Sequence, residues 1–351
     1  MLAYGERIGT SDRGCNPLRK IHFLRMSGRT RLYFRGNWRT KRTKAASEGT
    51  GFFHKKRAPK GSFLTHLRLI SVTISRPHCD HYVRHSPMRF LSVLLLIRVL
   101  CIGNSFSWDA VEQELVPLCD AEGIQVEIHN LYYGGCSLAQ HADFLMRDTA
   151  AYSHRVCSNQ SPSFHGRDGE GFRVVRDTIS LRQALREGKY DYISLQQASH
   201  DSGIRASYEP WLSLLIDTIR AYQPEAQICW MQTWAYSRDA KHPAYPRYHS
   251  DQQEMWDSIV SCTPKDLLLI PCGTAIQLAR QTKLGDTLCR DGYHLNYVYG
   301  RYTAACVWYE ILTGKDVRRN RYKNPQMTSC QRRLTQRAAH QANHAGLLRN
   351  P

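Results

Sequence analysis

The sequence predicts an α/β fold, a three-layer α/β/α domain built on a parallel sheet of about five strands. Three observations predict it. Five short apolar runs recur between residues 97 and 271, each of a length that suits a strand buried on both faces. Amphipathic stretches of about 10–15 residues separate them, enough to cross back over a sheet as helices. Pro224 and Pro264 fall where those helical stretches end, as residues that cannot continue a helix should.

Taken in order, the first strand is expected at 97–102 (IRVLCI) and the second at 124–131 (IQVEIHNL). The third is 190–196 (YDYISLQ), the fourth 227–232 (QICWMQ) and the fifth 267–271 (LLLIP). β-Branched and aromatic residues dominate these runs, as strands require. Helices are expected at 108–122, 138–149, 178–187, 208–222, 250–262 and 273–282, with a last one at 296–313. Residues 331–343 read as a further, basic terminal helix. No internal repeat or low-complexity tract is present.

The chain has 351 residues and 42% hydrophobic content, sufficient for one large domain or two modest ones. Collagen, coiled-coil and wholly disordered classes are excluded. Twelve cysteines occur without a CxxC pair, so neither a zinc ribbon nor a compact disulfide framework is indicated.

The formal charge of +18 is unevenly divided. Residues 1–87 hold 19 basic and 4 acidic residues, and 317–351 hold 8 basic and none acidic. The body between them has 21 basic and 26 acidic residues. High charge therefore gives no reason to expect nucleic acid on the core. Three segments follow: a basic extension at 1–87, expected to be disordered or non-native; a domain at 88–317; and a basic helix and tail at 318–351. Within the extension, 63–74 is the one run that could form an element. Met88 opens the domain. Arg98 interrupts the apolar run after it, which is too short to span a bilayer. Met88-Arg89 and 90–97 look like the start of a signal peptide, but no small-residue cleavage site follows and 97–102 is needed as a strand. The reading leans to the cytoplasm, with a secreted or periplasmic location as the alternative. Oligomeric state is open.

Four blocks carry chemistry. Gly103-Asn104-Ser105-Phe106-Ser107-Trp108 stands where the first strand ends and a helix begins, the edge at which ligands collect in open α/β sheets. Gly103 permits a tight turn there. Ser105 is a candidate nucleophile, and Ser107 a candidate cap for the helix from Trp108. Arg290-Asp291-Gly292-Tyr293-His294 offers a carboxylate that can orient an imidazole, the support a serine nucleophile needs. Gly134-Gly135 after the second strand can aim backbone N–H groups at an oxyanion. Gln196-Gln197 closes the third strand in amides, which, if buried, must be paired. Either an oxyanion donor or a polar network explains them. Trp108, Tyr132, Tyr133, Trp234, Tyr236 and Tyr293 fall near strand ends, as a sugar-stacking rim or as loop packing. GxSxG, GxGxxG, GxxxxGK[ST] and HExxH patterns are absent, which argues against α/β-hydrolase, dinucleotide, P-loop and zincin chemistry.

In this order the blocks resemble the SGNH (GDSL-like) hydrolase superfamily, over residues 97–317. The phrases GNSFSWDA, GGCSL, DYISLQQAS and DGYHLN look most like a branch defined only as a domain of unknown function, common in gut Bacteroidetes. The resemblance implies a flavodoxin-like α/β/α sheet and a serine esterase without cofactor or metal. Ser105, Asp291 and His294 would be catalytic, and Ser105, Gly135 and Gln197 would form the oxyanion hole. Asparagine stands at 104 where aspartate is usual. The third block lacks the usual donor asparagine; Gln197 is the substitute, with Gln196 and His200 as alternatives. Short-acyl esters, with acetylated glycans as candidates, are the implied substrates. The rival readings are a non-catalytic carbohydrate-binding module and a domain tethered by its basic ends to nucleic acid or anionic surfaces.

Overall fold

Alternation along each central strand sends neighbouring side chains to two separate cores. In β1 (Ile97–Gly103), Val99 and Cys101 enter one core while Leu100 and Ile102 enter the other. In β6 (Gln227–Met231), Cys229 and Met231 face the first core, and Ile228 and Trp230 the second. A strand apolar on both faces must be covered on both, which forces a layer of helices on each side.

The computed structural model describes residues 96–161 and 172–345. The extension at 1–87, including 63–74, the Met88 start and the signal-like run to residue 95 lie outside the described residues. The remaining strands are β2 (Val126–Tyr132), β3 (Tyr152–Ser158), β4 (Arg173–Ile179), β5 (Tyr192–Leu195) and β7 (Leu268–Ile270). They form one sheet in the order β4-β3-β2-β1-β5-β6-β7. The five expected strands are the parallel ones, β2-β1-β5-β6-β7. Two further strands extend the sheet, β3 antiparallel to β2 and β4 antiparallel to β3. β3 is polar and half-buried, and β4 is largely solvent-facing, with Val174 and Val175 exposed, so both lack the apolar run that marks the others.

The helices are α1 (Ser105–Val111), α2 (Leu115–Asp120), α3 (Leu138–Arg147), α4 (Leu181–Glu187), α5 (Trp211–Tyr222), α6 (Gln252–Cys262), α7 (Cys272–Arg280), α8 (Gly300–Thr313) and α9 (Ser329–His344). Residues of α1, α2, α7, α8 and α9 fill the first core, and those of α3, α4 and α5 the second. The stretch expected as one helix over 108–122 is two. Pro117 is tolerated only in the first turn of α2, where its missing N–H is not needed.

The terminal helix expected over 331–343 is α9, and it packs into the first core. Thr328 and Gln331 form a capping box, and Ala338, Ala339 and Ala342 are buried in the first core. Small residues let α9 lie close to its neighbours, while Arg333 and Arg337 face outward. Among the described residues no helix is long and apolar enough to cross a membrane.

The chain leaves β1 for β2 on one side and later returns to β5 on the other. The carboxyl end of β1 is therefore the switch point of the sheet, where a crevice opens between outgoing loops. Ser105 stands there.

Candidate active site

Asn104 is the N-cap of α1, its side chain accepting from the Phe106 N–H at 2.9 Å. The helix begins at Ser105, so Ser107 is not the cap. Ser107 is buried within the first turn, its hydroxyl 2.8 Å from the Asn104 carbonyl and 3.0 Å from Asn130 Oδ1. Gly103 is needed for space: a Cβ there would stand 2.5 Å from Ser107 Oγ.

Ser105 Oγ lies 2.9 Å from His294 Nε2, and His294 Nδ1 lies 2.7 Å from Asp291 Oδ2. Asp291 Oδ1 also accepts from the backbone N–H groups of Tyr293 at 3.1 Å and His294 at 2.7 Å. Partial burial pushes the Asp291 carboxyl up. The hydrogen bonds from the His294 side chain and from both backbone groups outweigh it, and the carboxyl is held below its usual range. An ionised carboxylate on Nδ1 leaves Nε2 as the nitrogen that can accept a proton from Ser105.

The loop carrying Asp291 and His294 is anchored from several sides. Asp109, one turn along α1 from Ser105 and 1% exposed, accepts from the Leu295 N–H at 2.7 Å and pairs with Arg290 at 3.1 Å and Arg301 at 2.7 Å. The Trp234 indole donates to the Tyr293 carbonyl at 2.7 Å, and the Ser237 N–H to the Gly292 carbonyl at 2.7 Å. Phe106 stacks on Trp234 with centroids 4.1 Å apart and meets His294 edge-on. Asp109 thus ties the serine's helix to the histidine's loop. Sequence reading passed over it, although a carboxylate four residues after the serine lies on the same helical face.

The glycine turn after β2 is held to the serine turn by Asn104, whose Nδ2 donates to the Cys136 carbonyl at 2.9 Å. Gly135 sits at φ +66°, which favours a residue without Cβ. The backbone N–H groups of Ser105 and Gly135 have no partner among the described residues.

The two glutamines are a correction. Gln197 was expected to aim its amide at an oxyanion, but both ends are committed elsewhere. Its Oε1 accepts from the N–H groups of Leu138 at 2.9 Å and Ala198 at 2.8 Å. Its Nε2 donates to the carbonyl and hydroxyl of Ser207 at 3.1 and 2.9 Å. Gln196 donates to Asn104 Oδ1 at 2.6 Å. Both are buried struts, so the polar-network explanation holds. His200, half-buried, lies 3.6 Å from Asp201 Oδ2 and stacks on His242; no contact joins it to Ser105 or Gly135 among the described residues. Of the proposed aromatic rim, Trp234 and Tyr236 are fully buried. Trp108, Tyr132, Tyr133 and Tyr293 remain partly accessible.

A family model described as a domain of unknown function, DUF4886, matches residues 98–342. The chain belongs to the DUF4886 family. A crystal structure of a DUF4886 family protein from Bacteroides uniformis is 41% identical, with a TM-score of 0.65. That match covers 70% of this chain and 94% of that one. A candidate SGNH hydrolase from Slackia heliotrinireducens is also similar, at 19% identity and a TM-score of 0.41, covering 62% of this chain and 98% of that one. No curated protein matches the sequence. The family match reaches through most of α9, in keeping with its place in the core. The resemblance to a branch defined only as a domain of unknown function is borne out.

Proposed function

We propose that this domain is a serine ester hydrolase for short-acyl esters. The observation that supports it is the unbroken hydrogen-bonded chain from Ser105 Oγ through His294 to Asp291, at 2.9 and 2.7 Å. Ser105 attacks the ester carbonyl carbon as His294 Nε2 takes the hydroxyl proton. Negative charge collects on the former carbonyl oxygen, to which the N–H groups of Ser105 and Gly135 donate. The intermediate collapses as His294 returns the proton to the leaving alcohol, giving an acyl-serine. Water then attacks the acyl carbon as His294 takes its proton, and the bond to Ser105 Oγ breaks as His294 returns that proton to Oγ, releasing the acid. Asp291 keeps His294 in the required tautomer and stabilises the imidazolium. The mechanism uses no metal or organic cofactor. Gln197 has no part in it.

An acetylated carbohydrate is the substrate class that the resemblance implies. The accessible faces of Trp108, Tyr132, Tyr133 and Tyr293 support it, since sugars stack on such rings. Incubation of the full chain with p-nitrophenyl acetate, butyrate and octanoate, and with acetylated xylan, tests the proposal. Turnover should favour the short acyl groups and fall by roughly 10³-fold or more in Ser105→Ala and His294→Ala. A folded protein that turns over none of these, or a Ser105→Ala variant as active as the parent, would overturn it.

A further inference from the structure

We propose a binding site for a divalent transition-metal cation of the zinc type at the junction of α8 and α9, held by Glu310, His340 and His344. It lies apart from the Ser105 site and does not depend on the hydrolase reading. The three side chains each bring one ligand atom to within 4.8 Å of the others. His340 and His344 are four residues apart on α9, hence on one face of the helix. Glu310 reaches them from α8. Asp316, Lys315 and Asn343 complete the walls of a surface cavity of about 230 Å³ there.

Charge makes the case beyond proximity. Glu310 is 7% exposed, and its one ion-pair partner among the described residues is His340, whose Nδ1 lies 2.9 Å from Glu310 Oε1. A buried carboxylate needs a cation beside it. The His340 and His344 rings lie against each other, tilted by 34° with centroids 4.2 Å apart.

The donor set points to the class of cation. Two imidazoles and one carboxylate match zinc-type ions, whereas calcium and magnesium take oxygen. The 2.9 Å gap between His340 Nδ1 and Glu310 Oε1 is near the ~3.3 Å edge spanned by two ligands of a tetrahedral ion at ~2.0 Å. His344 Nδ1 lies 2.8 Å from the His340 carbonyl, an outer contact that orients a ligating imidazole and leaves Nε2 for the metal. Glu310 is oriented too, accepting from the Val317 N–H at 2.7 Å and from Asn343 Nδ2 at 3.0 Å. Asn343 Oδ1 is buried without a partner in the same wall, an acceptor suited to a metal-bound water. Asp316 Oδ1 lies 3.6 Å from His340 Nδ1, but Arg318 holds both its oxygens, so Asp316 adds negative field and is not counted as a ligand. Occupied, the site fastens α9 to α8.

The test uses the full chain, stripped with EDTA and titrated with Zn²⁺ by calorimetry and with Co²⁺ by visible absorption. One site of about micromolar Kd is expected, with cobalt bands of tetrahedral intensity and a raised Tm on zinc addition. His344 is exposed, so His344→Ala should fold normally while weakening binding at least about tenfold. His340→Gln keeps a hydrogen-bond donor for Glu310 and should do the same. Cys330→Ser removes an exposed thiol elsewhere on α9 and should leave affinity unchanged. Failure of the parent to bind zinc would overturn the proposal. So would affinity equal to the parent's in both histidine variants, since the zinc would then sit elsewhere.

Discussion

Replacing Asn104 by aspartate or alanine separates what each end of its amide does. Its Oδ1 accepts from the Phe106 N–H and from Gln196, and its Nδ2 donates to the Cys136 carbonyl. Asn104→Asp keeps both acceptor roles and the cap but loses the donor, turning an oxygen toward the Cys136 carbonyl in a site 1% exposed. An orphaned buried carbonyl costs about 1–3 kcal/mol. Asn104→Ala also removes the cap and strands the Gln196 amide, for a total of roughly 3–5 kcal/mol. Urea unfolding of the full chain should therefore rank the parent above Asn104→Asp, and Asn104→Asp above Asn104→Ala. Because the lost bond holds the Gly134–Gly135 turn against the Ser105 turn, ester turnover should fall in Asn104→Asp beyond any loss of folded protein. An aspartate variant within about 0.5 kcal/mol of the parent and fully active would refute the reasoning, as would an alanine variant no worse than aspartate.

Ser107→Ala should cost about 1–2 kcal/mol, read by the unfolding midpoint, because it leaves Asn130 Oδ1 short of a donor; Ser105→Ala should stay within about 1 kcal/mol. Gln197→Ala should act on stability by about 2–4 kcal/mol and reduce turnover only in proportion to folded protein, since it orphans Leu138, Ala198 and Ser207; a selective loss of kcat at full stability would return it to the oxyanion site. Burial holds the His141 imidazole down to about 3. Its ordinary value is near 6.5, so below pH 6.5 the unfolded chain binds a proton that the native state refuses. Stability should fall as pH drops from 6.5 toward 3, by up to about 1.4 kcal/mol per pH unit from this residue. Urea midpoints across that range should show a shallower slope in His141→Gln than in the parent.

The parallel strands were legible because burial on both faces writes a continuous apolar run, as in 97–102 and 227–232. β3 and β4 were not, because YSHRVCS is a polar, half-buried run and RVVRDTI satisfies its backbone in the sheet while showing side chains to water. At the site, Ser105, Asp291 and His294 were legible as residue types at strand-end and loop positions. Gln197 was misread because an amide that closes a strand serves a network and an oxyanion equally well in sequence. Only the positions of Leu138 and Ser207 separate the two. Asparagine at 104, where aspartate is usual, supplies the amide donor that binds the Cys136 carbonyl. Asp109 went unnoticed because its partners, Arg290, Leu295 and Arg301, lie more than 180 residues away in the chain.

The most direct test of the hydrolase reading is covalent capture. The full chain is treated with a fluorophosphonate probe, its intact mass is recorded, and the adduct is located by peptide mapping. One probe per chain on Ser105 is expected, abolished in Ser105→Ala and strongly slowed in His294→Ala. A folded protein that stays unlabelled, or an adduct on Ser107 or any other serine, would contradict it.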